Sequence, residues 1–169
     1  MAPASIVLHE PEIPNNTGNI GRTCVALGAP LHLIHPLGFE LTEKACRRAG
    51  LDYWPRLDVS EHGSWATYRD TTPGATRWLL TTRAERSVYD AEFRPGDHLV
   101  FGKETRGLPD EILNEDPDHR VTLPMVRGER SLNVATAVCA VLYEAVRQQI
   151  ARGEIEIDRG RLGVVSSVR

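Results

Sequence analysis

Short runs of apolar residues recur along the chain, and each run is followed by residues that favour turns. The runs are apolar almost throughout instead of alternating with polar residues, which is typical of strands buried on both faces of a parallel sheet. We therefore predict strands at residues 5–9, 31–35, 78–82, 98–102 and 121–123.

Helical patterns fill the intervals between these runs. The polar side chains at 15–17 are suited to cap a helix that Gly28 ends. The predicted helices span residues 15–27, 42–49, 60–69, 109–113 and about 131–152. This alternation predicts an α/β fold, a single domain with a mostly parallel sheet flanked by helices on both faces.

Length and composition are consistent with one domain. The chain has 169 residues, of which 41% are hydrophobic, and its three cysteines form no Cys-x-x-Cys pair. A core of this size needs no disulfide or metal to hold it together, and we expect no metal site. We place the domain at residues 1–153 and expect residues 154–169 to form a flexible C-terminal tail.

The N-terminal residues lack the charged and long apolar regions of a signal peptide. No apolar run approaches the roughly 20 residues that are needed to span a bilayer. We therefore expect a cytoplasmic protein without a membrane partner.

The charge of the chain is distributed unevenly. There are 20 basic and 23 acidic side chains, and the net charge of −3 does not by itself favour nucleic-acid binding. Residues 44–56 nevertheless carry four basic side chains against one acidic, a local +3, whereas residues 103–118 carry two against six, a local −4. A nucleic-acid partner would therefore have to contact a local basic face.

Four polar segments rich in glycine or proline follow the predicted strands. In an open α/β sheet, ligands bind beyond the carboxyl ends of the strands. If the strands are parallel, these segments converge at one edge of the sheet and form the candidate site. They are residues 10–22, 81–83, 101–109 and 123–133.

Common fingerprints of nucleotide and hydrolase sites are missing from these segments. The glycines at 18–21 lack the Gly-x-Gly-x-x-Gly spacing of a dinucleotide site. Gly102 and Gly107 have P-loop spacing, but Leu108-Pro109 stands where a P-loop has its lysine and hydroxyl residue. No Gly-x-Ser-x-Gly elbow is present, so hydrolase chemistry has no signature here.

Three of the segments instead contain motifs that occur together, in this order, in one known family. With them the chain resembles the SPOUT class of RNA 2′-O-ribose methyltransferases, over about residues 5–148. Matches at 10–14, 47–53 and 143–145 are closest to the small stand-alone members of the TrmL/YibK type. The three motifs are Asn16-x-Gly18-Asn19-x-x-Arg22, Phe101-Gly102-x-Glu104-x-x-Gly107-Leu108-Pro109, and Leu123-Pro124-Met125 leading to Arg130-Ser131-x-Asn133.

The resemblance implies that the C-terminal part of the domain is threaded through a loop into a deep trefoil knot. It also implies a homodimer and the cofactor S-adenosyl-L-methionine, bound within the knot. By position, the implied cofactor contacts are Leu80 or Thr81, Gly102, Leu123 and Ser131, and Met125 adds to the apolar wall for adenine.

For the TrmL/YibK type, the implied reaction is methyl transfer to the ribose 2′-hydroxyl of the wobble nucleotide, position 34, of tRNA. The RNA partner is then the anticodon stem-loop, and the choice between cytidine, uridine or both stays open. Two alternatives remain. One is a methyltransferase for another tRNA position or for rRNA, and the other is a non-catalytic RNA-binding relative.

The resemblance makes Arg22 the catalytic arginine. Methyl transfer is an in-line displacement, so alignment of the reacting atoms should dominate catalysis. A guanidinium is effectively always protonated, which makes it a poor general base. We therefore expect Arg22 to hold the ribose–phosphate and polarise the hydroxyl, and the final proton acceptor stays open.

Five further residues are candidates for the catalytic site, each with a structural alternative. Asn16 and Asn133 orient substrate or partner loops, or cap helices. Glu104 accepts from substrate or braces Arg22 across the dimer, or pairs with Arg106 or Arg130 to organise its loop. Ser131 belongs to the site, caps the last helix, or does both. Tyr143 lies near the site or the dimer interface, or is a packed aromatic.

RNA binding requires cations. Arg47 and Arg48, in the basic 44–56 segment, are the leading candidates for contacts with the tRNA backbone. The alternative for both is a solvated helix face.

Overall fold

The computed structural model describes residues 2–40 and 52–164. Its main sheet has six strands, all parallel, and this confirms the predicted α/β architecture. The strands are β1 (Ser5–His9), β2 (Leu31–Ile34), β3 (Val59–His62), β4 (Arg77–Leu80), β5 (His98–Phe101) and β6 (Arg120–Val121). Their order across the sheet is β3-β2-β1-β5-β4-β6.

The described helices lie between and after these strands. They are α1 (Pro14–Leu27), α2 (Trp65–Thr71), α3 (Asp110–Leu113) and α4 (Val134–Ala151). Gly28 ends α1 in a left-handed conformation with φ 66°, as its position predicted. Short 3₁₀ turns occur at Trp54–Arg56, Val88–Asp90 and Pro117–His119. The helix predicted at 42–49 lies outside the described residues.

Two predictions of local structure were wrong. The stretch 60–69 is not one helix, because β3 occupies its first part and Ser64 then caps α2 by accepting from the Thr67 amide. Among the described strands, β3 pairs only with β2 at the sheet edge. Ser60 and Glu61 are therefore exposed, and β3 lacks the apolar signal of a buried strand. Likewise, α1 begins at Pro14, a favourable first helical position, so the polar residues at 15–17 lie inside its first turn.

The core has two layers, one on each face of the sheet. Along β1, Ile6 and Leu8 pack with α1 and α4 on one face, while Val7 packs with Tyr68 of α2 on the other. All three β1 side chains are at most 2% exposed, which explains the continuously apolar sequence of this strand.

An antiparallel hairpin follows α4. Its strands are β7 (Ile155–Asp158) and β8 (Arg161–Val164), joined by a two-residue turn in which Arg159 and Gly160 both have positive φ. The hairpin was not predicted, and the boundary at residue 153 stays a prediction. Ile155 of β7 packs against the α1–α4 layer of the core.

Two negative findings hold for the described part of the chain. No helix there is long and apolar enough to cross a membrane. Among the same residues, no cluster of His, Cys, Asp and Glu side chains is arranged to hold a metal ion.

Three histidines form a row on the α2 face of the sheet. His32 Nδ1 lies 3.0 Å from His62 Nε2, the His32 and His98 rings stack with centroids 5.1 Å apart, and the Tyr68 hydroxyl lies 2.6 Å from His98 Nδ1. Burial lowers the pKa of His32 and of His98 to about 4. Smaller contributions to these shifts come from neighbouring groups. His62 lowers both pKa values, His32 and Arg77 also lower that of His98, and Asp58 opposes the shift at His32.

This row predicts that the protein loses stability in mild acid. Unfolding returns both imidazoles to a pKa of about 6.5, so the unfolded chain binds protons first as the pH falls. The contribution of the two neutral imidazoles to the free energy of unfolding is complete above about pH 6.5. It is lost between pH 6.5 and about pH 4, at about 1.4 kcal/mol per pH unit for each imidazole. Urea unfolding from pH 7.5 to 4.5 measures this slope.

The variant that tests this is His98→Asn, which removes one of the two buried imidazoles and should reduce the slope. Equal slopes for wild type and His98→Asn would show that other groups control the acid response.

Candidate functional site

A cleft of about 590 Å³ opens at the carboxyl ends of β4 and β5. Its lining comes from all four polar segments, which meet here because parallel strands end at the same edge of the sheet. The convergence predicted from the sequence is therefore confirmed.

All six residues that were expected to contact the cofactor line this one cleft. The apolar members come from two distant stretches of the chain, the end of β4 and the 123–133 segment, which explains why no single stretch of sequence looks like a pocket. The six are Leu80, Thr81, Gly102, Leu123, Met125 and Ser131. Their contacts with a cofactor stay predictions.

Gly102 sits at the tightest point of the cleft wall. A Cβ built on it would lie 2.0 Å from the Gly107 carbonyl carbon and 2.1 Å from the Leu108 nitrogen, so no side chain fits. The loop closes here because the Gly107 amide donates to the Lys103 carbonyl, with Gly107 at φ 70°. Gly102 is therefore glycine because no side chain fits there, and Gly107 because its φ is positive.

Glu104 connects this loop to the segment after β1. Its carboxylate accepts from the Glu12 amide at 2.8 Å, from the Ile13 amide at 3.2 Å and from Asn16 Nδ2 at 2.9 Å. Glu104 thus organises a loop, but through main-chain amides and Asn16, not through the arginine pair that was the alternative.

Two other carboxylates strengthen the same connection. Glu12 also contacts the facing loop, where its carboxylate accepts from the Thr105 amide at 3.1 Å. Glu10 pairs with Lys103 Nζ at 2.6 Å, and both side chains are about a quarter exposed. The 10–16 and 102–105 segments are therefore joined by contacts in both directions.

Asn16 extends the network to the last helix. Its Oδ1 accepts from Asn133 Nδ2 at 2.9 Å, while Asn133 Oδ1 accepts from the Ala135 and Thr136 amides. Asn133 therefore caps α4, and Ser131, the expected cap, does not. Asn16 caps no helix, because Ile13 holds the N-cap position of α1.

His9 ends β1 beside these charges. Burial lowers its pKa, Lys103 acts in the same direction, and Glu10 opposes both. His9 is therefore neutral at pH 7, and the charged groups next to it are Glu10 and Lys103.

Arg22 lies outside the cleft of its own chain. Its guanidinium is on the exposed side of α1, with Nη2 3.4 Å from Asp52 Oδ1 and Cζ 4.5 Å from the centre of the Tyr53 ring. Tyr143 is likewise no part of the cleft lining and is 52% exposed on α4, so it is not a packed aromatic. Arg47 and Arg48 lie outside the described residues.

A family comparison agrees with this arrangement. The model described as the SpoU rRNA Methylase family matches residues 3–143. The chain belongs to this family. The matched residues include all of the main sheet and the first half of α4.

The SpoU family contains proteins that are similar over nearly the whole chain. A relative from Acidovorax sp. (strain JS42), named tRNA (cytidine(34)-2'-O)-methyltransferase, is 49% identical over 146 residues, 85% of this chain and 90% of the relative. A solved structure described as structural insights into the 2-OH methylation of C/U34 on tRNA is also 49% identical. Its TM-score is 0.82, over 88% of this chain and 97% of that one.

A third relative was solved with a cofactor. The SpoU methyltransferase AviRb from Streptomyces viridochromogenes, in complex with the cofactor AdoMet, is 29% identical, with a TM-score of 0.76 over 87% of this chain and 60% of that one. The cleft of this SpoU family member fits such a group. Its volume lies in the range of about 300–1,000 Å³ that is usual for small-molecule sites, and Leu80, Leu123 and Met125 give it apolar walls.

Sequence reasoning missed two features of the SpoU site. Arg83 lines the cleft and pairs with Asp110 at 2.7 Å, but its segment carries no motif of the resemblance. Glu10 and Glu12 lie in the 10–22 segment of the predicted site and match the subgroup, but no contact was predicted for them. Their spacing, either side of Pro11 and directly after a strand, was the available signal for a contact with the facing loop.

The network predicts a specific effect for Glu104→Gln. The amide that replaces one carboxylate oxygen is a donor, so it cannot accept from Asn16 or from the Glu12 amide. We expect S-adenosylmethionine affinity to fall about tenfold, because the loops of the cleft are less well fixed. The unsatisfied polar group, at about 1–3 kcal/mol, should also lower the melting temperature by several degrees. Titration calorimetry measures the affinity.

Glu111→Gln is the control for this prediction. It makes the same change at an exposed carboxylate in the first turn of α3 and should leave the affinity unchanged. Equal affinities for Glu104→Gln and wild type would mean that the network does not shape the cleft.

Proposed function

We propose that this chain transfers a methyl group from S-adenosyl-L-methionine to the ribose 2′-hydroxyl of nucleotide 34 of tRNA. One observation carries the proposal. All three motif segments meet at a single cleft, in a chain 49% identical to a relative named for that reaction. On this proposal the protein works in the cytoplasm, on the anticodon stem-loop.

The cleft residues hold the cofactor, which supplies a methyl group activated by its sulfonium. Leu80, Leu123 and Met125 cover its apolar part, Thr81 and Ser131 offer hydroxyls, and Gly102 keeps the loop closed around it. Asn16, Glu104 and Asn133 line the same cleft and position these loops. Their hydrogen bonds fix the cleft before substrate binds, which favours alignment of the reacting atoms.

Arg22 acts on the RNA. Its guanidinium donates to the ribose–phosphate and to the 2′-hydroxyl oxygen, which stabilises the negative charge that develops there. Because Arg22 lies outside the cleft of its own chain, we assign it to the cleft of a second copy. The protein on this proposal is a homodimer with two shared sites.

The exposed surface of α1 and α4 supports the homodimer. Ile13 before α1, Leu132 before α4 and Tyr143 on α4 are 44%, 45% and 52% exposed, although they are large apolar or aromatic residues. We place the interface on this surface, close to Asn16 and Asn133.

The trefoil knot and the domain boundary are part of the same proposal. Family membership supports a knot in the C-terminal part of a domain that spans residues 1–153. Arg47 and Arg48 stay our candidates for the tRNA backbone.

Ribose-methylation mapping of tRNA from a strain that lacks the gene tests the function. Loss of the methyl group at position 34, restored by the wild-type gene, is the expected result. Loss at another tRNA position or in rRNA would show that the target is wrong, and an unchanged map would show that the chain does not methylate RNA in the cell.

A further inference from the structure

The outer side of α1 is covered next to Arg22 by the segment that contains the Trp54–Arg56 turn. Two residues of this segment contact the Arg22 guanidinium. Asp52 Oδ1 accepts from Nη2 at 3.4 Å, and the Tyr53 ring lies below Cζ at 4.5 Å. The arginine that the proposed reaction depends on is therefore held from two sides in the RNA-free chain.

Tyr53 is itself fixed in place. It is 2% exposed, and its hydroxyl donates to the Gly18 carbonyl, one turn before Arg22 on α1. The segment also packs closely at Gly21, where an added Cβ would lie 2.9 Å from Leu57 Cδ2 and 3.1 Å from the Trp54 ring. The ring below Arg22 is thus a rigid surface of the fold.

The geometry of these contacts leaves Arg22 free to bind substrate. A cation–π contact uses the face of the guanidinium, and the Asp52 contact uses one of its five N–H donors. The remaining donors lie along the edge and are available to oxygen atoms. Asp52 and Tyr53 thus restrict the rotamers of Arg22 without consuming its capacity to donate.

We propose that Asp52 and Tyr53 are positioning residues that preorganise Arg22 for the ribose of the substrate. This inference rests on the proposed function, in which Arg22 acts on the RNA. A free arginine side chain would have to be ordered during the reaction, and the two contacts remove much of that cost beforehand. Substitution of Asp52 or Tyr53 should therefore lower the methylation rate at saturating tRNA and leave the cofactor affinity unchanged.

The test compares variants in single-turnover methylation at saturating tRNA. Tyr53→Phe keeps the ring and should stay within about twofold of wild type, while Tyr53→Leu removes the ring and should be about tenfold slower, a typical value for a partly buried cation–π contact. Asp52→Asn should be about threefold slower, as expected for an exposed ion pair. S-adenosylmethionine affinity should be unchanged in all three variants.

An Arg22→Ala background, which removes the cation, separates positioning from a merely structural role. If Asp52 and Tyr53 act through the guanidinium, their substitutions should have little further effect there, so the paired changes should not be additive. Fully additive rates, or a loss of cofactor affinity, would overturn the inference. Asp52→Asn alters a side chain that is 80% exposed, so it keeps the test decisive even if Tyr53→Leu fails to fold.

The same assay distinguishes this inference from the proposed function. A wild-type protein that methylates no nucleotide 34 would overturn the function and the inference with it. If the wild type methylates position 34 and Asp52→Asn and Tyr53→Leu do so at the same rate, the inference is wrong but the proposed function stands.

Discussion

Gly102→Ala is expected to reduce S-adenosylmethionine affinity by at least about 100-fold. The three atoms nearest to the new Cβ, all within 2.4 Å, belong to the main chain of Gly107 or Leu108, so no side-chain rotation relieves the overlap. The loop must open instead, and the contacts of Glu104 and Lys103 with the 10–16 segment are then disrupted. Overpacking of this kind costs about 1–3 kcal/mol, which leaves a protein of ordinary stability folded.

Gly63→Ala is the matched control, because a Cβ there meets no atom within 4 Å and the backbone is not in the left-handed region. It should bind the cofactor as wild type does. Calorimetric titration, with circular dichroism to confirm folding, measures both variants. A folded Gly102→Ala protein with wild-type affinity would refute the assignment of this cleft.

Arg22→Ala should lower kcat by about 100- to 1,000-fold, the usual effect of removing a donor that stabilises developing negative charge. Cofactor affinity should not change, since the proposed role of Arg22 is to contact the RNA and not the cofactor. Arg22→Lys keeps the charge but loses the planar arrangement of donors, and should still lose at least about tenfold. Steady-state methylation of a tRNA transcript gives both values.

Arg94→Ala is the control for the loss of a positive charge. Arg94 pairs with Glu92 and lies next to Asp97 at the amino edge of the sheet, so this variant should be fully active. An Arg22→Lys protein with undiminished turnover at saturating RNA would exclude the proposed role.

Mixed dimers test the sharing of the site. A dimer of one Arg22→Ala chain and one Gly102→Ala chain contains one complete site if Arg22 serves the partner, and none if it serves its own chain. We therefore expect about half of the wild-type activity from the purified mixed dimer. Activity no higher than that of either parent variant would show that each site is built from one chain.

Much of the fold was accessible from local sequence. Strands buried on both faces, such as β1, carry an apolar signal that few other elements produce, and their parallel arrangement brought the four polar segments to one edge. β3 escaped prediction because an edge strand with one neighbour exposes Ser60 and Glu61, and its sequence then resembles the start of a polar helix. The C-terminal hairpin was not predicted, because a short terminal segment of mixed charge was expected to be frayed.

The partners of each site residue were less accessible. Glu104 lies 92 positions from the Glu12 amide that it accepts from, and Asn133 lies 117 positions from Asn16. Motif spacing identifies such residues but not their contacts, because those are determined by the packing of the loops. The same limit applies to Arg22, whose contacts with Asp52 and Tyr53 depend on how the 52–57 segment packs on α1.

The central claim is tested most directly by the purified protein alone. It would be incubated with S-adenosylmethionine and a tRNA transcript from its own organism, and the product digested for mass spectrometry. We expect one added methyl group on the ribose of nucleotide 34, and none when that nucleotide is a 2′-deoxynucleotide. Methylation that persists on the 2′-deoxy transcript, or a methyl group found only at another position, would contradict it.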